Sequence, residues 1–213
     1  MLKNKIPKPS LNRITCYLRF LNDIKKNNQG TVSSIDIANY MGLKPIVVKK
    51  DLAFITSHDG KPKVGYKTEQ LINDIKKSLH YDIVTNAIIV GMGKLGATLM
   101  SYQGFERYGL NIVAGFDAHP SVVGTVVNAK RVMPINDLKR IIENNDVRIG
   151  IITVQRESAQ LVCDQLVAAG IKAIWTFAPI HLNVPSKIPV KYEDMAASLS
   201  FLSNQIKVIK KRG

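Results

Sequence analysis

A glycine-rich turn between an apolar strand and an apolar helix constrains the fold of this chain more than any other feature. The strand is predicted over residues 87–90 and runs directly into Gly91-Met92-Gly93-Lys94-Leu95-Gly96. In such a G-x-G-x-x-G turn, the first glycine permits a tight turn, the second lets a pyrophosphate approach the backbone, and the third lets the helix pack on the strand. The backbone N–H groups at the helix N-terminus then face the phosphates. The turn therefore predicts a Rossmann unit that binds a dinucleotide.

A carboxylate follows at the end of the next predicted strand. That strand spans Asn111 to Phe116 and ends on Asp117, which lies 24 residues beyond Gly93. A Rossmann unit places an acid at about this distance, where it accepts hydrogen bonds from the ribose hydroxyls and repels a 2'-phosphate. The spacing therefore favours NAD(H) over NADP(H).

Strands and helices alternate after Asp117, as a parallel sheet requires. The pattern predicts a helix over 135–144, a strand over 148–154, a helix over 157–169 and a strand over 171–177. A final helix is predicted from Asp194, and its apolar residues recur at spacings of four and three, which requires a surface that covers them. These residues are Met195, Leu199, Leu202, Ile206 and Ile209. We expect an α/β protein with a Rossmann domain over 81–192 and a dimerisation helix over 193–213.

Some 80 residues precede the Rossmann unit, and they carry most of the surplus positive charge. Residues 1–80 contain 15 Lys and Arg against 6 Asp and Glu, whereas residues 81–213 contain 15 against 10. The resulting net charges of +9 and +5 make up the +14 of the whole chain. A surplus in one small domain favours a polyanionic partner, because each neutralised phosphate releases counterions. A solubilising lysine-rich surface is the alternative interpretation of the charge alone.

Helices with capping residues are predicted in succession within this basic segment. The first begins at Ser10 as N-cap and ends at Gly30. The second begins at Ser33, which forms an S-x-x-D capping arrangement with Asp36, and ends at Gly42. We assign residues 1–80 to one domain.

A third helix completes a helix-turn-helix pattern. It begins at Pro45, which suits the first helical position, and places its lysines opposite an apolar stripe. The lysines are Lys44, Lys49 and Lys50, and the stripe is Val48, Leu52 and Ile55. Two short helices joined by a glycine-containing turn are typical of a unit whose second helix enters the DNA major groove. An ordinary three-helix bundle is the alternative. The turn-rich segment 58–66 then predicts the wing of a winged helix, with Lys61 and Lys63 placed to reach phosphates.

Membrane and metal functions find no support in the sequence. No run of about 18 apolar residues is present to span a bilayer, and no signal-peptide core follows the N-terminus, so we expect a cytoplasmic protein. Cys16 and Cys163 lie far apart without a metal-ligand pattern. We therefore expect both to be small buried side chains, and we expect no metal site.

An enzyme must be weighed against a sensor, because a nicotinamide dehydrogenase would share the glycine turn and Asp117. Hydride transfer needs an acid or base beside the nicotinamide, and a substrate domain usually supplies it. Only 34 residues follow Pro179, which is too few for such a domain. We therefore expect no enzymatic activity. The alternatives are an NAD-dependent oxidoreductase and a coenzyme A-binding module, each with a basic N-terminal extension.

Several segments resemble, in order and spacing, the family of bacterial redox-sensing transcriptional repressors called Rex. They are Arg13 to Arg19, Val48 to Leu52, Val64 to Tyr66, Val90 to Gly96, Phe116-Asp117, Thr153-Val154, Phe177 to Pro179 and Leu182 to Pro185. The resemblance implies a homodimer with an N-terminal winged helix and an NAD(H)-binding Rossmann domain, whose last helix is exchanged between subunits. It also implies that NADH releases the protein from an inverted-repeat operator in double-stranded DNA, whereas NAD+ allows binding.

The same resemblance implies roles for individual residues. The DNA-binding positions are Arg13, Ser33, Ser34, Lys44, Lys49, Lys50, Lys61, Lys63 and Tyr66. The nucleotide positions are the turn from Gly91 to Gly96, Asp117, His119, Thr153, Val154, Gln155 and Phe177. Arg19, Tyr102 and Asp194 match a trio that links the DNA domain, the nucleotide domain and the exchanged helix. An arginine, a tyrosine and an aspartate at helix ends are also ordinary surface or capping residues.

Four positions around the nucleotide depart from the family's pattern. His119 stands in place of an acid, Val122 of a lysine, Gln155 of a proline and Thr176 of an asparagine. These departures cluster at the nucleotide, so they bear on the affinity and preference for the ligand rather than on the fold.

Overall fold

A computed structural model describes residues 6–56, 60 and 64–210, with side chains described as far as residue 206. The chain divides into two compact units, Met1–Ile83 and Val84–Gly213. The sequence predicted a division after residue 80, and the chain divides three residues later. Each unit is described below by itself.

The first unit packs four helices around one apolar core. The helices are α1 (Lys8–Lys26), α2 (Ser34–Met41), α3 (Pro45–Leu52) and α4 (Thr68–Ser78). A two-stranded antiparallel ribbon, β1 (Thr31–Val32) and β2 (Tyr66–Lys67), lies among them. The buried side chains that join the helices include Ile14, Leu18, Leu21, Ile37, Val48, Leu52, Leu71 and Ile75. This arrangement confirms the predicted helix-turn-helix, in which α2 and α3 are its two short helices.

The capping signals of α2 and α3 are confirmed. The Ser33 side chain accepts the Asp36 N–H, and the Asp36 side chain accepts the Ser33 N–H, so the capping box is complete. Gly42 ends α2 in the left-handed conformation, with a φ of 64°. Pro45 occupies the first position of α3, where a missing N–H leaves no hydrogen bond unmade.

The predicted ends of α1 are wrong. The helix begins at Lys8 rather than after Ser10, because Pro9 fits within a first turn whose N–H groups need no helical partner. It ends at Lys26 rather than at Gly30, and Asn28 adopts a left-handed φ of 60°. Asparagine tolerates this conformation better than most residues, so the chain turns before it reaches the glycine.

The second unit is built on a seven-stranded sheet with the order β5-β6-β4-β3-β7-β8-β9. The strands are β3 (Thr85–Val90), β4 (Leu110–Asp117), β5 (Val126–Val127), β6 (Lys130–Pro134), β7 (Val147–Ile152), β8 (Ala173–Thr176) and β9 (Val190–Tyr192). All neighbouring strands are parallel except β5 and β6, which form an antiparallel hairpin at one edge. The helices are α5 (Lys94–Ser101), α6 (Leu138–Asn144), α7 (Arg156–Ala168) and α8 (Met195–Lys210). The predicted Rossmann architecture is therefore confirmed, and the β5–β6 hairpin is an addition that the sequence did not predict.

The two faces of this sheet are covered unequally. Helices α6 and α7 bury one face in a continuous apolar core. On the other face, α5 covers β3 and β4 but leaves an open apolar hollow of about 380 Å³, lined by residues such as Ile149, Ile151, Phe105 and Trp175. The apolar residues of α8 are also exposed, namely Met195, Leu199, Phe201, Leu202 and Ile206. Within the described residues, the second unit thus presents two apolar surfaces, on α8 and on the sheet, that its own side chains leave open.

Candidate nucleotide site and DNA-binding face

The glycine turn joins the ends of three strands. Gly91 has a φ of 100°, and its N–H donates a 2.8 Å hydrogen bond to the carbonyl oxygen of Phe116 at the end of β4. A Cβ at Gly91 would lie 2.8 Å from the backbone nitrogen of Val154, just beyond β7. A Cβ at Gly96 would collide with the Gly91 carbonyl oxygen. Both glycines are therefore required by the packing of the turn itself.

Gly93 differs from these two glycines, because nothing within 4 Å meets a Cβ placed on it. It precedes α5 as the N-cap, and no side chain caps the helix there. The N-terminus of α5 therefore opens onto free space, and a Cβ at Gly93 would occupy part of that space. The arrangement suits a phosphate group held by backbone N–H groups.

Thr153 supports the turn rather than facing outward with its hydroxyl. Its Oγ1 donates to the carbonyl oxygen of Gly91 at 2.6 Å and lies 3.1 Å from that of Val90. The backbone N–H of Thr153 also donates to Val90 at 2.9 Å. This predicted nucleotide residue thus holds the end of β7 against the end of β3.

Asp117 lies at the end of β4 with both carboxylate oxygens engaged. Oδ2 accepts the backbone N–H of Met92 at 2.7 Å, and Oδ1 accepts the backbone N–H of His119 at 2.9 Å. The imidazole Nδ1 of His119 lies 2.7 Å from the hydroxyl of Ser121. A carboxylate oxygen has more than one acceptor site, so Asp117 can still accept ribose hydroxyls.

A cavity of about 560 Å³ extends from this carboxylate along α7. Gly91, Asp117 and His119 line one end of it, and Val154 and Gln155 line its wall beyond β7. Its size lies within the range of ligand-binding clefts. The open Gly93, the acid and the cavity together fit a dinucleotide, with phosphates at the turn and one nucleoside in the cavity.

Phe177 lies beyond the end of β8, apart from this cavity. Its ring packs 4.6 Å from that of Trp175, measured between centroids, on the incompletely covered face of the sheet. Its backbone N–H donates to Ile152 at 2.9 Å. Thr176 is fully buried, and its hydroxyl oxygen accepts the N–H of Ala178.

The exposed side of α3 in the first unit carries the predicted lysines. Lys44, Lys49 and Lys50 are all exposed. Ile46 projects from the same helix with 56% of its surface exposed, which the sequence analysis did not single out. The sequence did not predict that Ile46 is exposed, because spacing alone does not show which of Ile46, Val47 and Val48 faces the core.

A buried carboxylate ties α3 to α1. Asp51 is 2% exposed and accepts hydrogen bonds from Arg13 Nε and Nη2 and from Tyr17 Oη, each at 2.7 Å. Burial alone would raise the pKa of Asp51, but the hydrogen bonds from Arg13, Tyr17 and Ser10 hold it below its ordinary value. Burial and the bond to Asp51 raise the pKa of Tyr17. The ionised Asp51 therefore stabilises the unit above about pH 4, and that contribution is lost as the pH falls through its lowered pKa.

The other predicted DNA-binding residues are placed differently from one another. Ser33 is occupied in the capping box, and Ser34 is 7% exposed at the start of α2. Tyr66 is half-buried in β2, and its ring lies against Gly60. Lys61 and Lys63 lie outside the described residues.

The predicted switch residues are divided between the units. Arg19 is exposed on α1 in the first unit. In the second unit, Tyr102 is 61% exposed and packs edge-on against Phe105, with 5.1 Å between ring centroids. Asp194 accepts the backbone N–H of Ala197 at 2.8 Å and so caps the first turn of α8. Their shared role remains a prediction.

Within the described ranges, no helix has the length and apolar character that crossing a bilayer requires. Among the same residues, His, Cys, Asp and Glu side chains form no group of three that could hold a metal ion. Cys163 is buried, and burial raises the pKa of its thiol to about 11.

Two protein-family models match different parts of the chain. Residues 82–180 match a family described as a CoA binding domain. Residues 5–53 match a family described as a putative DNA-binding protein N-terminus. The first match covers residues 84–180 of the second unit and begins two residues before it, and the second match lies within the first unit.

The relatives and solved structures described next match nearly the whole chain and share one family name. A protein of Desulfitobacterium hafniense named redox-sensing transcriptional repressor Rex is 38% identical over 93% of this chain and 94% of its own length. A protein of Porphyromonas gingivalis with the same name is 35% identical over 97% and 94%. The crystal structure of RSP with β-NAD+ and operator DNA matches with a TM-score of 0.88 and 32% identity, over 98% of this chain and 97% of RSP. RSP with β-NADH matches with a TM-score of 0.86 and 32% identity over 99% and 100%, and RSP is described as a Rex-family repressor. This chain therefore belongs to the Rex family of redox-sensing transcriptional repressors.

Proposed function

We propose that this protein is a DNA-binding transcriptional repressor that senses the ratio of NADH to NAD+ and leaves its operator when NADH binds. One observation carries the proposal: a glycine turn with Asp117 and a helix-turn-helix with an exposed lysine face occur in the same chain. RSP, a Rex-family repressor, has been crystallised with NADH and with NAD+ plus operator DNA. A repressor of this kind acts where operator DNA lies, in the bacterial cytoplasm.

The nucleotide assignment rests on the chemistry of the turn and of Asp117. The N-terminus of α5 and Gly93 would hold the pyrophosphate, and Asp117 would accept the ribose hydroxyls. The same carboxylate would repel the 2'-phosphate of NADP(H) and the 3'-phosphate of coenzyme A. When bound, the nicotinamide is either oxidised or reduced, and this redox state is what the protein would sense.

The DNA assignment rests on α3. Lys49 and Lys50 would contact phosphates or base edges from the exposed face of the recognition helix, with Lys44 at its N-terminus. Ile46 would add an apolar contact, which in the major groove suits the methyl group of thymine. The wing lysines Lys61 and Lys63 and the half-buried Tyr66 remain predicted contacts.

We propose a regulator rather than an enzyme. The relatives that match the whole chain are named transcriptional repressors. The open turn at Gly93 and the cavity beside Asp117 are arranged to bind a dinucleotide. The protein would respond to a reduced nicotinamide by changing its affinity for DNA, as linkage between two sites requires.

We propose that the protein is a homodimer whose α8 helices are exchanged. The apolar residues of α8 are exposed, and an apolar hollow beside Trp175 lies open on the sheet. Contiguous exposed apolar surface of this kind marks an interface. The exposed helix of one copy and the open sheet face of another provide complementary surfaces.

A DNA-binding titration tests the proposed function. We expect the purified protein to shift DNA from its own upstream region, NADH to release it, and NAD+, NADPH and coenzyme A to leave it bound. Replacing Lys49 and Lys50 with Glu should lower DNA affinity on the order of a hundredfold or more, because two contacts become repulsive. NADH affinity should stay within about twofold, since the sites lie in separate units.

The matched control reverses the charge of two lysines elsewhere in the first unit. Lys76→Glu with Lys77→Glu makes the same charge change at the end of α4. If both pairs weaken DNA binding equally, α3 is not the recognition helix. Release by NADPH or coenzyme A instead of NADH would contradict the proposed sensor.

Gly93→Ala tests the phosphate assignment. Because its Cβ meets open space, we expect the melting temperature to change by less than about 2 °C. NADH affinity should fall on the order of tenfold or more, since the methyl group occupies the space assigned to phosphate. Gly30→Ala, whose Cβ also meets open space, is the control and should leave NADH affinity unchanged. Calorimetric titration measures both, and an unchanged affinity in Gly93→Ala would exclude the turn as the binding site.

The link between Arg13 and Asp51 predicts that Arg13 positions α3 instead of acting mainly as a phosphate contact. Arg13→Gln and Asp51→Asn should both weaken operator binding, while the slope of log affinity against log salt stays the same. A phosphate contact would behave otherwise: its loss would reduce the slope by about 0.9. If Arg13 contacts a phosphate, Asp51→Asn would leave the arginine free to bind DNA. Fluorescence anisotropy at several salt concentrations distinguishes the two roles.

Ending the chain after Glu193 tests the exchanged helix. We expect the truncated protein to sediment as monomers or aggregates and to bind the operator poorly, because both apolar surfaces lose their partner. A full-length variant with Leu199 and Leu202 changed to Ser should show the same loss. A stable dimer in either case would make α8 peripheral to assembly.

A further inference from the structure

An isoleucine is exposed on the helix that we assign to DNA recognition. Ile46 is the second residue of α3, and 56% of its surface is exposed. Val48 and Leu52 on the same helix are completely buried, so other residues of α3 make its contact with the core. The exposed side chain of Ile46 therefore contributes little to the packing of the first unit.

Ile46 lies on the same face of α3 as two exposed lysines. Residues three and four positions apart are neighbours on a helix surface, which places Lys49 and Lys50 one turn beyond Ile46. In a helix-turn-helix, the N-terminal residues of the second helix contact base edges in the major groove. Because Ile46 lies in the first turn of α3, a helix held on DNA by these lysines presents it to the bases.

The chemistry of isoleucine limits what it can recognise in that groove. Its side chain neither donates nor accepts a hydrogen bond, so it cannot distinguish bases by their donors and acceptors. The apolar group on the major-groove edge of the four bases is the 5-methyl group of thymine. 5-Methylcytosine carries the same group at the same ring position, whereas cytosine and uracil lack it. A β-branched side chain has few rotamers to lose, which favours such a contact.

A second isoleucine has the same exposure but a different place in the helix-turn-helix. Ile35 is the second residue of α2, and 55% of its surface is exposed. The first helix of such a unit crosses the DNA backbone rather than entering the groove. Of the two residues, Ile46 is therefore the one that can reach a base.

We propose that Ile46 reads the 5-methyl group of a pyrimidine in each half of the operator. The protein then binds thymine or 5-methylcytosine at this position in preference to uracil or cytosine. Methylation of a cytosine that stands at this position raises the affinity for DNA. This inference rests on the proposed function, because it assumes that α3 enters the major groove. Ile46 is a specificity-determining residue in this view, whereas Lys49 and Lys50 supply charge for the backbone and base edges.

Duplexes in which deoxyuridine replaces thymidine test the proposal, because this replacement removes only the 5-methyl group. Thymines of the bound upstream region are replaced one symmetric pair at a time, and fluorescence anisotropy measures the affinity of the NADH-free protein. We expect one pair of positions at which the wild-type protein loses affinity on the order of tenfold, since one methyl contact is lost in each half. At that pair, 5-methylcytosine opposite guanine should bind more tightly than cytosine opposite guanine.

Ile46→Ala removes the proposed contact. We expect this variant to bind the thymine duplex on the order of tenfold more weakly than the wild-type protein does, and to bind the thymine and uracil duplexes within about twofold of each other. Ile46→Val keeps the β-branched side chain and should keep the preference for thymine. NADH affinity should stay the same in both variants, because Ile46 lies in the first unit.

Ile35→Ala is the matched control. It removes the same atoms from the same position of a helix of equal length, at almost the same exposure. This variant should keep the preference for thymine. The wild-type comparison of thymine with uracil needs no substitution, so it decides the matter even if Ile46→Ala folds poorly.

The outcomes separate this proposal from the proposed function. If the wild-type protein binds every uracil duplex as tightly as the thymine duplex, Ile46 does not read a methyl group, although the DNA-binding sensor remains. A preference for thymine that persists in Ile46→Ala, or that is lost equally in Ile35→Ala, would also overturn the role of Ile46. If no duplex binds at all, the proposed function fails together with this inference.

Discussion

The backbone of Gly91 is the constraint on which the nucleotide end of the second unit depends. Its N–H reaches Phe116, and its carbonyl oxygen accepts the hydroxyl of Thr153, so one residue joins the ends of β3, β4 and β7. The left-handed φ and the close approach of Val154 leave no room for a side chain. The open N-terminus of α5 and the carboxylate of Asp117 take their positions from this junction.

A buried carboxylate has a comparable role in the first unit. A buried, ionised Asp51 would be costly without partners, and Arg13 and Tyr17 of α1 supply them through charge-assisted hydrogen bonds. These bonds fix the orientation of α3 relative to α1, whereas apolar packing alone is less directional. The lysine face of α3 therefore depends on a network that does not itself need to touch DNA.

Local signals made much of this architecture predictable, and non-local contacts account for what was missed. The turn from Gly91 to Gly96 and Asp117 predicted the Rossmann unit, since the spacing of glycines and acid reflects backbone geometry. The β5–β6 hairpin was missed because its left-handed turn residues are Asn128 and Ala129 rather than Asn-Gly. The pairing of Arg13 with Asp51 joins residues 38 positions apart, and no periodicity reports such a contact.

The only tryptophan of the chain gives the second unit an internal optical reporter. Trp175 lies against Phe177, donates its indole N–H to Glu193 and lines the open apolar hollow of the sheet. Indole emission moves to shorter wavelength when water is excluded, and reduced nicotinamide absorbs light in the range where tryptophan emits. Covering the hollow with a second chain would shift the tryptophan emission to shorter wavelength, whereas nearby NADH would lower the emission intensity. Assembly and redox state would thus leave separate spectroscopic signatures on one side chain.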